Sequence, residues 1–146
     1  MRAIDVLARA LEARNRARGI ERELEVRRAH LGPQGHGYDV VRISGALDPM
    51  RNVDNLLDAI APLEAEREAC LQDVEDGRAL CRGAAALVSE TAGKVLELHY
   101  CVGCEASFIA EQMHYPESLV QGIIDSAPAG LDAVGVPRLM QAGRSA

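Results

Sequence analysis

Four cysteines and four histidines are the side chains of this 146-residue sequence best suited to hold a metal or carry a redox reaction. Cys101-Val102-Gly103-Cys104 has the spacing that clamps zinc, and His99, His114 and Cys81 are the nearest further donors. A structural zinc site takes four ligands. His99 and Cys101 are too close in sequence to form a usual ligand pair, and no second CxxC or HxxxH accompanies them. A redox CxxC wants its first cysteine at a helix N-terminus after a strand, whereas Cys101 closes the helical run 94–100. Cys70 and Cys81 are separated by about three helical turns, too far to share one ion. The expectation is therefore no metal and no cofactor. Cys101 and Cys104 are read as small apolar groups, not disulfide-bonded to each other, around a helix turn permitted by Gly103. Enzyme chemistry is not expected. His30, His36, His99 and His114 form no nucleophile-and-base pattern, and no glycine loop follows a strand.

The elements that must position these residues read as helical. Ala, Leu, Arg and Glu abound, and Phe108, Tyr38, Tyr100 and Tyr115 are the only aromatics. Over residues 3–30 the larger apolar residues form two stripes, Ile4, Leu7, Ala8 and Leu11, then Ile20, Leu24 and Leu31. They are out of phase across Gly19, which predicts a bend or a change of partner. Gly32, Pro33, Gly35 and Gly37 stop this helix, and residues 38–44 read as a short extended segment or linker.

Residues 50–88 carry the cleanest pattern. Val53, Leu56, Ile60, Leu63, Arg67, Cys70, Val74, Gly77, Cys81, Ala84 and Val88 recur in alternating steps of three and four, the seam of a coiled coil or helical hairpin. Pro62 predicts either a kink or the start of a second helix. The seam predicts a homodimer, with an intrachain hairpin against residues 3–30 as the alternative. After Ser89 three shorter helices follow, 91–101, 105–113 and 116–127, with Pro128 ending the last. Val95, Leu96, Leu98, Tyr100, Phe108, Ile109, Met113, Val120, Ile123, Ile124 and Ala127 are expected to face inward. The fold class is all-α: an N-terminal helix, linker and long central helix (1–88), a three-helix helix-turn-helix module (89–134) and a flexible tail (135–146).

The spacing of Leu98, Tyr100, Gly103, Ile109, Ala110, Met113, Tyr115, Val120, Ala127 and Leu131 resembles the helix-turn-helix of sigma-factor region 4. More closely, the chain resembles phage regulators of the RinA/ArpU type along most of its length. That resemblance implies a phage or prophage transcriptional regulator that binds double-stranded DNA, with RNA polymerase or another regulator as protein partner. The candidate DNA-contacting residues are Lys94, His114, Ser118, Leu119, Gln121, Gly122 and Asp125, with Arg14 and Arg18 from the first helix. In the family the outward positions of the last helix are commonly Arg, Lys, Ser or Thr; here Glu117, Leu119, Gly122 and Asp125 stand among them.

Charge sharpens the choice. Residues 1–30 carry net +3, residues 31–87 net −5 and residues 88–146 net −4. Phosphate contacts call for Lys and Arg, so the first helix is expected to supply them. The competing expectation is an acidic module that kept the fold and contacts proteins instead of DNA. No apolar run of about 18 residues is present, so no membrane partner is expected. The N-terminus lacks an apolar export core, and a reducing cytoplasm is the expected location.

Overall fold

The structure, a computed structural model, describes residues 1–30 and 49–145, and their side chains apart from those of 49–53. In chain order the elements are α1 (Ala3–Ala29), α2 (Pro49–Leu87), α3 (Glu90–Leu96), a π-helix (Glu97–Val102), α4 (Ala106–Met113), α5 (Glu117–Val134) and α6 (Val136–Ser145). Among the described residues there is no strand, as the composition predicts. The glycine-rich stop and the extended segment 38–44 lie outside the described residues.

α1 runs unbroken through Gly19. Its buried stripe is Ala3, Leu7, Ala10, Ala13, Ala17, Ile20 and Leu24, with Val6 beside it. Ala8 is exposed, while Ile4 and Leu11 are only half-buried. The bend expected at Gly19 is thus corrected, since alanines carry the three-four rhythm across it. α1 does pass from one compact unit of the chain to the other at Asn15–Arg16, near the change of partner expected. α2 also continues through Pro62, whose ring faces solvent. On its seam Ile60, Cys70, Val74, Gly77, Cys81 and Ala84 are buried, whereas Val88 is exposed. These positions are covered within one chain, so this stripe does not itself call for a second copy.

The chain divides into two compact units. The first comprises Met1–Asn15 and Cys70–Ala146. Within it α2 is buried on two faces, because Ala79, Leu80 and Gly83 join the seam residues in the core. Gly77 admits α1: a Cβ there would stand 2.6 Å from Ala10 Cβ. Gly83 and Gly143 admit α6, since a Cβ on either would overlap the backbone of Leu139 or Ala79 respectively. The expected flexible tail is therefore corrected to a docked helix. Val136 and Leu139 are buried, and Arg144 pairs with Asp76 at 3.0 Å.

α5 likewise passes the proline expected to end it. Val120, Ile124, Pro128 and Leu131 form one buried stripe, so the Pro128 ring packs where the broken backbone hydrogen bond costs stability. Beyond it, Asp132 Oδ1 accepts the Ala3 N–H at 2.7 Å, an acidic cap on the positive end of α1.

The second unit is Arg16–Ala69. Its buried apolar residues, among those described, are Ala17, Ile20, Leu24 and Ile60. Ion pairs Arg16–Glu66 and Arg28–Glu64 join α1 to α2 at the rim. Both pairs are exposed, and each contributes about 1 kcal/mol or less. The apolar contact is what holds this part.

Candidate nucleic-acid interface

Ser89 opens α3 from an extended backbone, and its Oγ accepts the Ala92 N–H at 3.2 Å. Gly93 then allows α3 to lie on α2, for a Cβ there would come within 2.6 Å of Ala85 Cβ. The expected helix 91–101 changes character after Leu96. A π-helix has wider turns than an α-helix. The π-helix here puts the consecutive residues Tyr100 and Cys101 both into the core and leaves Leu98 half-buried. The Leu98 carbonyl accepts the N–H groups of Gly103 and Cys104. Gly103 sits at φ 86°, and His99 Nδ1 donates to the Cys104 carbonyl at 2.9 Å.

The Arg14 guanidinium lies against Gly103, where any Cβ would strike it. Its Nη1 also donates to Asn15 Oδ1 at 3.2 Å. Arg14 is thereby brought beside the turn that leads into α4. Arg18 is exposed in the second unit and forms no ion pair among the described residues.

The thiols pair differently from the CxxC spacing. Among the described residues Cys81, Cys101 and Cys104 form no disulfide, and Cys104 is only half-buried. The thiols of Cys101 and of Cys81 in α2 are buried beside each other in the core. Interaction with Cys101 first, then burial, pushes the Cys81 thiol above the ordinary thiol range, while interaction with Cys81 lowers Cys101. Gly77 makes room for the pair, since a Cβ there would be 3.2 Å from Cys101 Sγ. Among the described residues no three His, Cys, Asp or Glu side chains are grouped to hold a metal.

α4 has eight residues and ends at His114, which adopts the left-handed conformation at φ 58°. Its N–H bonds to the Ala110 carbonyl, as does the Tyr115 N–H. Three residues, 114–116, separate α4 from α5. Ile109 and Ala110 of α4, with Val120 and Ile124 of α5, are buried. Met113, Ile123 and Ala127 are half-buried. Phe108, expected inside, is instead 49% exposed, because Ile109 and Ala110 occupy the inward face of this short helix.

Ser118, Leu119, Gln121, Gly122 and Asp125 are all exposed on α5. Gln121 Nε2 donates to Asp125 Oδ1 at 3.0 Å, and nothing stands within 4 Å of a Cβ built on Gly122. Tyr100 lies near enough to feel the Asp125 carboxylate; burial first and this charge second raise its phenol pKa. Lys94 is exposed, 3.9 Å from Glu90. Residues 95–137 contain no Lys or Arg, and Glu105, Glu111, Glu117 and Asp125 are exposed in that stretch.

Sequence reasoning marked the exposed α5 positions but missed the Cys81–Cys101 contact and the seat of Arg14. The contact was hidden because its partner is remote in sequence; only the common helical phase of Gly77 and Cys81 hinted at a shared locus. Among the described residues no helix is long and apolar enough to cross a membrane. Comparison with protein-family models, curated proteins and solved structures finds no match for this chain.

Proposed function

We propose that α3 to α5 form a helix-turn-helix of the sigma-region-4 kind, and that the chain is a phage-type transcriptional regulator presenting α5 to the major groove of DNA. The observation that carries this reading is the α4–α5 connection. An eight-residue helix, a three-residue turn opened by left-handed His114 and a second helix with an exposed outward face suit such a motif. Ser118 and Gln121 have the donors and acceptors to address base edges. Arg14, beside the turn before α4, is the arginine best seated for a phosphate, with Lys94 and His114 as further contacts. On this reading the protein acts in the cytoplasm alongside RNA polymerase or another regulator.

A second reading has its own support. Glu105, Glu111, Glu117 and Asp125, unrelieved by any Lys or Arg from 95 to 137, oppose a phosphate backbone. Exposed Phe108 and Leu119 suit a protein-binding face better. Fluorescence anisotropy with duplex DNA separates the two. The regulator binds weakly, with affinity falling steeply as salt rises, and Glu117→Lys with Asp125→Lys tightens binding by about tenfold or more. Absence of wild-type binding even at low salt would end the DNA reading and leave the interaction module.

A further inference from the structure

We infer that the outward face of α4 and α5 docks on the outward face of α1 from a second copy of this chain. The two surfaces are complementary in charge, and among the described residues neither Arg18 and Arg22 nor Glu105, Glu111, Glu117 and Asp125 form an ion pair. On α1, Arg18, Arg22 and Val26 recur every four residues on the side opposite buried Ala17, Ile20 and Leu24. All three are exposed, Val26 to 60%. Among the described residues neither Arg18 nor Arg22 forms an ion pair, whereas Arg16, Arg27 and Arg28 each do. Glu21 and Glu25 flank the stripe without interrupting it.

The receiving face has the opposite character. Phe108 and Leu119 flank the turn between α4 and α5 at 49% and 47% exposure, and Tyr115 lies between them in sequence. Glu105, Glu111, Glu117 and Asp125 are exposed on the same two helices and their approaches. An aromatic anchor with charged surroundings is the make-up of an interface hot spot, and charge complementarity sets orientation and encounter rate. A basic helix ending in an exposed valine fits an acidic face bearing Phe108 and Leu119. On the α2 seam Ile60, Cys70, Val74, Gly77, Cys81 and Ala84 are already buried within the chain.

Two copies satisfy both surfaces either by exchanging the contact reciprocally in a two-fold dimer or by joining head-to-tail until the assembly closes into a ring. This inference stands independently of DNA binding, although nucleic acid and a second copy would compete for Arg18 and Arg22.

Sedimentation velocity on full-length protein freed of nucleic acid tests it over a range of concentration and salt. Wild type self-associates at low salt and dissociates as salt rises. Arg18→Glu with Arg22→Glu, and separately Glu117→Lys with Asp125→Lys, each weakens association by about tenfold or more. Mixing the two variants restores it, because each supplies the surface that the other has reversed. Circular dichroism on each variant establishes that the helices are intact, and the mixing result cannot arise from misfolded chains. A wild type that stays monomeric at low salt overturns the inference. So does association that survives both reversals, or a monomer that instead captures an arginine-rich peptide added as a probe.

Discussion

Cys81 shows how one buried side chain ties stability to solution conditions. Its thiol is buried against Cys101, so the proton is held more tightly than in the unfolded chain, whose ordinary value is 9.0. Below that value both states keep the proton and the full contribution is present. Above it the unfolded chain releases a proton that the folded chain retains, so stability falls as pH rises. Tyr100, raised from 10.0 mainly by burial and then by Asp125, adds a loss of the same sign at higher pH. The unfolding midpoint should therefore drop as pH climbs above about 9. Cys81→Ala should cost about 1–2 kcal/mol at neutral pH through lost packing, yet show a shallower alkaline decline. Urea melts at a series of pH values make the comparison, and equal slopes for the two proteins would refute the assignment.

For the elements, glycine inside a helix has two opposite meanings here, decided by what lies beside it. Gly130 in α5 is exposed with nothing within 4 Å of a built Cβ, whereas Gly143 in α6 is pressed on the backbone of Ala79. Helix propensity alone favours alanine at both positions by about 1 kcal/mol. Gly130→Ala should accordingly stabilise the protein by roughly 0.5–1 kcal/mol. Gly143→Ala should destabilise it by about 1–3 kcal/mol, because α6 must lift from α2. Denaturant unfolding reads both, and a shift of the same sign for the two substitutions would show that α6 does not dock as described. The same close approach explains why α6 escaped the sequence pattern. Gly143 near the end of the chain and Gly83 in α2 look like helix breakers until their common contact is known.

At the scale of the whole molecule, burial is uneven. Ala17, Ile20, Leu24 and Ile60 are the buried apolar residues of the second unit among those described; the rest of the described core lies in the first. Its rim ion pairs are exposed and add little. Local opening is easiest where few apolar contacts must be broken. Hydrogen exchange should therefore be faster for amides in 18–28 and 55–68 than for those in 78–86 and 120–131. Uniform protection across these segments would mean that the chain opens as a single unit. This uneven burial also bears on the proposed association, since docking on the outward stripe of α1 should slow exchange in 18–28 as concentration rises.

The sequence by itself determined the all-α class, the outer limits of the long helical stretch to within a residue at each end, and the seam from Cys70 to Ala84, while leaving open whether Pro62 divides that stretch. These follow from local periodicity: a three-four rhythm of apolar and small residues has one helical face whatever covers it. The exposure of Ser118, Leu119, Gln121, Gly122 and Asp125 was legible for the same reason, as the complement of Val120 and Ile124. Tertiary structure alone decided which breakers break. Pro128 continues a helix because its ring is buried in the α5 stripe, while Gly83 and Gly143 are contact points between backbones. It also decided that Cys101 meets Cys81 instead of Cys104, and that Arg14 rests on Gly103. In each case the deciding atom belongs to a residue far away in the chain, and no local pattern encodes the distance between them.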